Sequence, residues 1–210
     1  EHGAPDDLSG ATPEVLDIQK KSMMHGLKFI PYPVRHMGTD NNVRIMTNMR
    51  TALQNAGVEI FCRTECTDVY KEKDTFVIKS NEKEFRGKNL IVGVGRGGAQ
   101  WIKKTFLKNF PLVIKNNYVD IGVRVEFPRQ VFDHITNITH DPKFVYHTKA
   151  NDDKVRTFCV NPGGYVSLEY NEDGSDGFYT VNGHSEKKKK TQLTNFALLV
   201  SVKFTEPFDD

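Results

Sequence analysis

The sequence lacks the long apolar runs and the leader pattern that mark membrane-spanning and secreted proteins. No stretch approaches the ~18 consecutive apolar residues that a membrane-spanning helix needs. The first ten residues, EHGAPDDLSG, have neither the basic nor the apolar region of a signal peptide. These two absences predict a soluble protein that has no membrane partner.

Cysteine is also scarce, with three residues in 210. Cys62, Cys66 and Cys159 cannot all pair with one another, which favours a reducing, cytoplasmic setting. Neither the cysteines nor the histidines show the spacing of metal ligands, so we expect no metal site. Buried or half-buried structural thiols are the simplest interpretation of Cys62 and Cys66.

An excess of charge of one sign is absent as well. The 29 basic and 27 acidic residues leave a net charge of +2, which gives no global attraction to nucleic acid or to an acidic membrane. The run EKKKK (186–190) has no interleaved aromatic or arginine residues, which single-stranded nucleic acid would require. We therefore interpret the run as a solvated loop and expect no nucleic-acid partner.

What the sequence does contain is an α/β pattern followed by a β-rich one. Proline and glycine predict a helix between Pro13 and Gly26, and a second helix is capped by Thr39 or Asp40 and ends at Gly57. The apolar contacts of the first helix are predicted to be Val15, Leu16, Met23 and Met24, and those of the second Val43, Met46, Met49 and Leu53, with Arg50 alongside them. Strands are predicted at 58–62, 74–80 and 89–95.

From residue 119 onward the pattern is almost entirely strand-like, with one short helical possibility near residues 128–135. We therefore predict a boundary near residue 116. Residues 1–116 form an α/β region with a β-meander, and residues 117–210 form a β-rich domain. The predicted fold class is α+β or α/β.

The segment NLIVGVGRGGAQW (89–101) contains a G-x-G-x-x-G pattern at Gly93, Gly95 and Gly98. A dinucleotide-binding turn needs a strand before it, a helix after it and an acidic residue about 20 positions further on. The third condition fails, because Glu126 lies 28 residues past Gly98. Arg96 in the turn could still pair with a phosphate, but the spacing argues against a true fingerprint.

Five blocks of the sequence stand in an order that is familiar from a known family. The blocks are GRGGAQW (95–101), DIGVRVE (120–126), RTFCVNPGG (156–164), VNGHS (181–185) and NFALLVSVKFTEPF (195–208), and HMGTD (36–40) is a sixth similarity. Together they resemble the large bacterial and archaeal family of uncharacterised FAD-dependent dehydrogenases. The resemblance implies a flavoprotein whose Rossmann-like FAD domain is built from separate segments, with a β-rich substrate domain inserted between them.

The same resemblance implies that the true fingerprint lies upstream and that Gly93, Gly95, Arg96 and Gly98 form a later turn that approaches the flavin. Nothing before residue 36 or after Phe204 supplies the outer pieces of the FAD site. The chain is thus expected to be the interior of a FAD-dependent oxidoreductase, and to be colourless and inactive by itself. The helix after the turn is expected to pack Trp101, Ile102, Thr105 and Phe106 on a sheet.

Candidate chemistry lies in the β-rich part, and each candidate has a second interpretation. Cys159 is a redox or nucleophilic thiol activated by Arg156, or a packed strand cysteine. His184 is an acid or base, or a turn histidine that bonds backbone. Arg124 clamps a substrate carboxylate or faces solvent.

The turns beside these residues contribute little to a core and are predicted to bind a small-molecule substrate. They are expected to converge on one rim, with Cys159 and His184 close to a shared cleft. The predicted substrate-binding residues are Asn161, Gly163, Gly164, Asn182 and Gly183. The alternative function is a ligand- or partner-binding module without redox chemistry.

Overall fold

The computed structural model describes residues 2–114, 117–169 and 180–203. The chain forms two compact units. Within the described residues, unit 1 comprises 2–56, 117–169 and 180–203, and unit 2 comprises 57–114. None of the helices in the described part is long and apolar enough to cross a membrane.

Unit 1 is built on a five-stranded antiparallel sheet with the strand order β1-β6-β7-β10-β5. The long strands β5 and β10 pair along their whole length. The strand-like pattern predicted from residue 119 onward is confirmed by the four strands of this sheet other than β1, which all lie in that part of the chain. The strand bounds are β1 Lys28–Ile30, β5 Tyr118–Pro128, β6 Lys143–His147, β7 Lys154–Pro162 and β10 Leu193–Lys203.

Helix α1, Glu14–Met24, packs on this sheet. It begins after Pro13 and is followed by Gly26, whose φ of +71° is a conformation that glycine adopts without strain. The buried side of α1 includes Val15 and Ile18, which join Phe29 of β1 in the core. The half-buried residues around them are Ile135, Ile138 and Phe144.

The predicted apolar contacts of α1 are only partly confirmed. Val15 is buried, whereas Leu16, Met23 and Met24 are exposed, Met24 to 81%. The helix turns Val15, Ile18 and Ser22 to the core, which leaves the other apolar side chains on the outer side. Leu16, Met23 and Met24 are therefore exposed because their positions along the helix place them on the side away from the sheet.

Helix α2, Asn42–Asn55, follows a short 3-10 helix at Thr39–Asn41 and ends before Gly57, as predicted. Its predicted apolar side is not buried. Ile45 is the buried residue of the helix. The exposed large apolar residues are Val43, Met46, Met49 and Leu53.

A second, two-stranded sheet in unit 1 consists of β8, Tyr165–Glu169, and β9, Thr180–His184. The strands are antiparallel, and Tyr165 pairs with His184. The β8 strand begins directly after the Pro-Gly-Gly turn that ends β7. The two segments that the sequence marks as turns therefore lie on neighbouring strands.

Unit 2 contains a three-stranded antiparallel meander of β2, Cys66–Glu72, β3, Thr75–Ser80, and β4, Glu84–Gly87. The strand predicted at 74–80 is confirmed. The strands predicted at 58–62 and 89–95 are wrong, since neither segment pairs with another strand among the described residues. Ile91, at the centre of the second segment, is 94% exposed. Apolar composition alone does not form a strand when no neighbouring strand takes up its backbone hydrogen bonds.

The residues after the glycine turn are helical, as predicted, in three successive segments: Ala99–Trp101, a π-helical turn at Ile102–Phe106, and Leu107–Asn109. The indole of Trp101 donates a hydrogen bond of 2.5 Å to the carbonyl of Cys66 in β2. Trp101 and Phe106 are half-buried and their ring centroids lie 6.2 Å apart. The expected packing face is thus present, although it is only half-buried.

The fold class is mixed α and β with antiparallel sheets. The strand pairs of the described residues are all antiparallel, so the parallel, Rossmann-like sheet is not found there and stays a prediction for a larger protein. The grouping of residues also differs from a division at residue 116. Residues 2–56 belong to unit 1 because β1 pairs with β6 and α1 covers the same sheet.

Candidate functional site

Strand β7 contains a β-bulge centred on Cys159. In the pairing of β7 with β10, Phe158 lies opposite Ala197 and Asn161 lies opposite Asn195, so Cys159 and Val160 together face one residue of β10. Cys159 has a φ of +50°, a left-handed conformation that is uncommon outside glycine. Bulges of this kind redirect a side chain and occur often beside active sites.

The carboxylate of Asp141 stabilises the bulge. Its carboxylate accepts the backbone N–H of Val160 at 2.9 Å, and it also accepts the hydroxyl of Tyr32 at 2.8 Å and the ammonium of Lys143 at 2.7 Å. Burial and the bond to Asp141 raise the pKa of Tyr32 well above its usual value, so Tyr32 is a neutral donor. Three donors therefore fix the carboxylate that satisfies the bulge.

Arg124 of β5 also contacts the bulge, and its side chain forms hydrogen bonds with three other strands. Its Nη1 donates to the Asn195 Oδ1 at 2.7 Å and to the Cys159 carbonyl at 3.2 Å, and its Nε donates to the Val181 carbonyl at 3.4 Å. The half-buried guanidinium is thus bound to β10, β7 and β9 rather than directed into solvent. Whether Arg124 also clamps a substrate carboxylate stays a prediction.

Asn161 and Asn195 continue this network across the sheet. Asn161 Nδ2 donates to the Cys159 carbonyl at 2.7 Å and lies 3.4 Å from the Cys159 sulfur. Asn195 is fully buried, and its Nδ2 has no hydrogen-bond partner among the described residues. A buried amide donor without a partner costs free energy, so an oxygen atom bound there would be stabilising.

Gly183 is the point at which the second turn meets this network. A Cβ on Gly183 would overlap Asn195 Oδ1, Asn161 Nδ2 and Arg124 Nη1. The Cys159 sulfur lies 4.0 Å from the Gly183 carbonyl. Only glycine leaves room here for three polar side chains to approach the backbone.

The two predicted turn segments lie side by side, as predicted, although residues 181–184 belong to strand β9 and not to a turn. Ser185 Oγ donates to the Pro162 carbonyl at 3.1 Å, and a Cβ on Gly164 would overlap the His184 carbonyl. Lys190 lies against Gly163, whose φ is +62°. Asn182 projects elsewhere, since its side chain donates to Glu169 at 2.5 Å.

His184 and Arg156 do not join Cys159. The ring of His184 packs on Tyr165 with centroids 5.6 Å apart, and Cys159 contacts Gly183 instead. Arg156 pairs with Asp120 at 2.5 Å and covers the ring of Phe158, so the predicted activation of the thiol by Arg156 has no support in these contacts. A shared cleft for Cys159 and His184 stays a prediction.

The glycine turn of unit 2 has an open backbone. A Cβ at Gly93, Gly95 or Gly97 would meet no heavy atom within 4 Å, and Gly95 has a φ of +65°. The turn and the segment before it border a cleft of about 410 Å³. The other lining residues include Cys66, Val69, Ile78 and Trp101.

These open glycines fit a cofactor that approaches the backbone closely. Gly98 differs, because a Cβ there would overlap the side chain of Val94. Gly98 therefore serves the packing of the turn, whereas Gly93 and Gly95 are the positions that would hold a flavin. The side chain of Arg96 lies outside the described part, so its predicted phosphate contact has no structural account.

Several residues of the site escaped prediction from the sequence. Asp141 and Asn195 reach the bulge from 19 and 34 residues away along the chain, measured from Val160 and Asn161. A second group, His36 with the EKKKK run, lies beside the Pro-Gly-Gly turn. The only sequence signal for them was that His36 and Asn195 fall in blocks that carry the family resemblance.

Comparison with known proteins supports a flavin connection for the C-terminal part of the chain. Residues 118–210 match the family "FAD-dependent protein, C-terminal domain-like". The chain is also similar to an uncharacterized protein of Clostridium beijerinckii, with 25% identity over 177 residues that cover 80% of this chain and 32% of that protein. The aligned region thus spans about a third of the relative's length. The match covers the bulge, Arg124, Asn195 and both converging turns.

Proposed function

We propose that this chain is the interior part of a FAD-dependent oxidoreductase, in which unit 1 binds the substrate and the glycine turn of unit 2 approaches the flavin. The observation that carries the proposal is the strained bulge at Cys159, tied to Arg124 and Gly183 inside the region that matches a FAD-dependent family. The dehydrogenase activity itself and the identity of the substrate belong to the proposal.

The strain at Cys159 is the first argument. A non-glycine residue with positive φ costs on the order of 1 kcal/mol and persists only where the surroundings determine it. Here Asp141 accepts a hydrogen bond from the N–H of the next residue, Val160. Arg124 and Asn161 both donate hydrogen bonds to the Cys159 carbonyl. Three polar side chains bound to the backbone of this bulge are more than strand packing requires, since a strand cysteine needs none of them.

The polar composition of the network is the second argument. Arg124 supplies a positive charge bound to the Cys159 carbonyl, and Asn161 supplies an amide donor 3.4 Å from the thiol. Donors gathered at a strained thiol suit a substrate that carries an oxygen anion or a carbonyl. In this proposal Arg124 is a positioning residue, and Cys159 contacts the substrate.

When bound, a flavin would supply the acceptor for two electrons removed from the substrate. The open backbone at Gly93 and Gly95 would allow it to approach without a side chain in the way. The apolar lining contributed by residues 90–94 would exclude water from its surface.

Flavin content is the first test. The longest natural polypeptide that contains this chain is purified, and its visible absorbance and released flavin are measured. Stoichiometric FAD supports the proposal, and a colourless protein that takes up no added FAD overturns it. The 210-residue chain itself is expected to show no saturable binding when FAD is titrated to micromolar concentrations, and tight binding would make the 93–98 turn a nucleotide site in its own right.

The second test separates the thiol from the flavin. In the flavin-containing protein, Cys159→Ser is compared with Cys62→Ser, which alters an exposed cysteine of unit 2. Anaerobic bleaching of the flavin by candidate hydroxy-acids or amines, which lose two electrons as the flavin is reduced, is the readout. We expect loss of bleaching in Cys159→Ser alone, with flavin content unchanged in both. Equal bleaching in the two variants would show that Cys159 does not take part in the reaction and has a structural role.

A second candidate function is a ligand-binding module without redox chemistry, and one cavity favours it. An apolar groove of about 660 Å³ lies between α1 and the sheet of unit 1. Its lining includes Ile18, Phe132, Ile135, Phe144, Phe196 and Leu198. This size is typical of small-molecule sites. If the full-length protein contains no flavin but binds an apolar ligand in this groove, the ligand-binding module is favoured.

A further inference from the structure

A cluster of lysines and histidines in unit 1 has no part in the proposed oxidoreductase site. The rings of His36 and His140 stack with centroids 3.7 Å apart and an interplanar angle of 25°. The loop that carries His36 is bound to the EKKKK run, since Thr39 donates its N–H to the Ser185 carbonyl and Asp40 accepts the N–H of Lys187 at 2.8 Å. Lys187 is therefore bound to this loop, whereas Lys188, Lys189 and Lys190 are exposed, as expected for a solvated loop.

Lys190 is the cation of the cluster whose charge is least compensated. The side chain as a whole is exposed, but its Nζ turns back to the Ser185 hydroxyl at 3.1 Å and to the Pro162 carbonyl at 3.4 Å. Both acceptors are neutral, and within the described residues no carboxylate lies at ion-pair distance from Lys190. Lost hydration of the ammonium, together with the charges of Lys187 and Arg129, lowers the Lys190 pKa.

The other charges of the cluster are largely satisfied. Lys187 Nζ pairs with Asp7 at 2.6 Å, and Asp40 is bound to the backbone N–H groups of Lys187 and Lys188. Arg129 pairs with Asp133 at 3.2 Å. Of Lys187, Arg129 and Lys190, only Lys190 thus lacks a carboxylate partner among the described residues.

The positive charges of Lys187 and Lys190 lower the pKa values of both histidines. Burial, followed by the charges of Lys190 and Lys187, lowers the pKa of His36 to about 4 and outweighs the opposite effects of Asp40 and Asp7. Burial and the neighbouring His36 ring, with Lys190 and Lys187 in support, lower the pKa of His140 to about 3 against the effect of Asp141. Both rings are therefore neutral at neutral pH.

One ring nitrogen in the pair is also without a partner. His36 Nε2 is buried and makes no hydrogen bond to any described residue. A neutral imidazole nitrogen needs either a donor or an acceptor when it is removed from water. A protonated His36 beside a bound anion would meet that need.

We propose that Lys187, Lys190 and the stacked His36–His140 pair form a binding site for a small oxyanion, a carboxylate or a phosphate, and that the bound anion promotes proton uptake by the histidines. The anion contacts the Lys190 ammonium, whose other partners are the neutral Ser185 hydroxyl and Pro162 carbonyl, and cancels the positive field that disfavours a charged imidazole. By linkage the effect is reciprocal, so lower pH tightens anion binding. The site lies against the Pro-Gly-Gly turn, because the Lys190 stem crosses Gly163.

Calorimetric titration of this chain with inorganic phosphate, and separately with succinate, tests the site. Lys190→Gln is compared with Lys189→Gln, which removes the same charge from an exposed neighbour in the run. We expect Lys190→Gln to weaken binding about tenfold, the effect of one charge-assisted hydrogen bond, and Lys189→Gln to weaken it less than about twofold. Equal effects of the two variants would overturn the proposal.

The coupling to protons has its own readout. Histidine ring signals are followed by NMR against pH with and without saturating phosphate. We expect phosphate to raise the apparent pKa values of His36 and His140. Because phosphate itself takes up a proton in this range, its affinity is divided by that of the His36→Gln, His140→Gln variant at the same pH, and this ratio should increase roughly threefold or more between about pH 7.5 and pH 6. In the His36→Gln, His140→Gln variant the pH dependence should shrink while binding at neutral pH persists. If the histidine pKa values are the same with and without phosphate, the proposed coupling is wrong.

A third measurement covers the case in which Lys190→Gln does not fold. In the unmodified chain, phosphate should slow the acetylation of Lys190 relative to Lys189, with both sites quantified by mass spectrometry. Equal protection of the two lysines overturns the site. None of these readouts depends on flavin, so the oxyanion site and the proposed oxidoreductase function fail or succeed separately.

Discussion

The carboxylate of Asp141 accepts the backbone N–H of Val160 at 2.9 Å, one residue beyond the left-handed Cys159. A bulge leaves one backbone donor without its ladder partner, and here a side chain takes that place. The same carboxylate is held by Tyr32 and Lys143, so the bulge rests on a fixed anchor rather than on a mobile one. The position of the Cys159 thiol thus depends on a residue from another part of the chain.

Replacing the anchor should loosen the bulge. Asp141→Ala removes the acceptor of Val160, and we expect the free energy of unfolding to fall by about 1–3 kcal/mol, the cost of an unsatisfied buried donor. In a background with Cys62→Ser and Cys66→Ser, the Cys159 thiol should also react faster with a disulfide reagent. Urea unfolding and thiol kinetics give the two readouts, and Asp152→Asn, at an exposed acid that contacts His147, is the control. Unchanged thiol kinetics would contradict the anchoring role.

Gly183→Ala should disrupt the network from the opposite side. The new Cβ would occupy the space of Arg124, Asn161 and Asn195 polar atoms, and overpacking of this kind costs about 1–3 kcal/mol. Gly97→Ala is the matched control, because a Cβ there meets nothing within 4 Å. Thermal unfolding of both variants is the measurement. A Gly183→Ala protein as stable as the control would show that the three side chains move aside freely.

The buried histidines predict a stability that falls in acid. The pKa values of His36 and His140 are about 4 and about 3 in the folded protein, below the ordinary value of 6.5. Between these limits the unfolded chain binds more protons than the folded one, so stability is full above about pH 6.5 and falls as pH decreases toward 4. Urea unfolding at several pH values checks this. The double glutamine variant of the two histidines should show a flatter profile over this range, and an equally steep one would contradict the assignment.

Trp101 predicts a spectroscopic signal that is specific to unit 2, because it is the single tryptophan of the chain. The ring is half-buried and donates to the Cys66 carbonyl at 2.5 Å, so native emission should be blue-shifted only partly and should move to the red on unfolding. Trp101→Phe removes the donor and should lower stability by about 0.5–1.5 kcal/mol. A fully red native spectrum would show that the helix does not pack on β2.

The sequence predicted those features that depend on local chemistry. Gly26 and Gly57 end the two helices, and alternating apolar residues produce β5 to β10 with little ambiguity. Each of these predictions needs only the residues of the segment itself. The convergence of the two segments was also predicted, but the premise that they contribute little to a core is wrong, since Asn161, Gly164 and Gly183 are buried.

What could not be predicted depends on partners distant in the sequence. The segments 58–62 and 89–95 have the composition of strands but pair with nothing among the described residues. The bulge at Cys159 has no local signal, because cysteine is not a residue that favours positive φ and its anchor Asp141 lies 19 residues from Val160. The fully buried Asn195 was hidden for the same reason, since its neighbours in sequence form an ordinary apolar strand.

The glycine turn of unit 2 allows packing and cofactor approach to be separated with two matched substitutions. A Cβ at Gly98 would overlap the Val94 side chain, so Gly98→Ala should destabilise unit 2 by about 1–3 kcal/mol. A Cβ at Gly93 meets nothing within 4 Å, and its backbone is not in the left-handed region, so Gly93→Ala should leave stability nearly unchanged. If the open face of the turn lies against a flavin, the small methyl group at Gly93 nevertheless occupies the space that the cofactor needs. Gly93→Ala in the flavin-containing protein should then lower FAD retention on dialysis while its unfolding midpoint, measured on the 210-residue chain, stays at the wild-type value. Full FAD retention in Gly93→Ala would mean that the open glycines face solvent, and the turn would have no role in holding the cofactor.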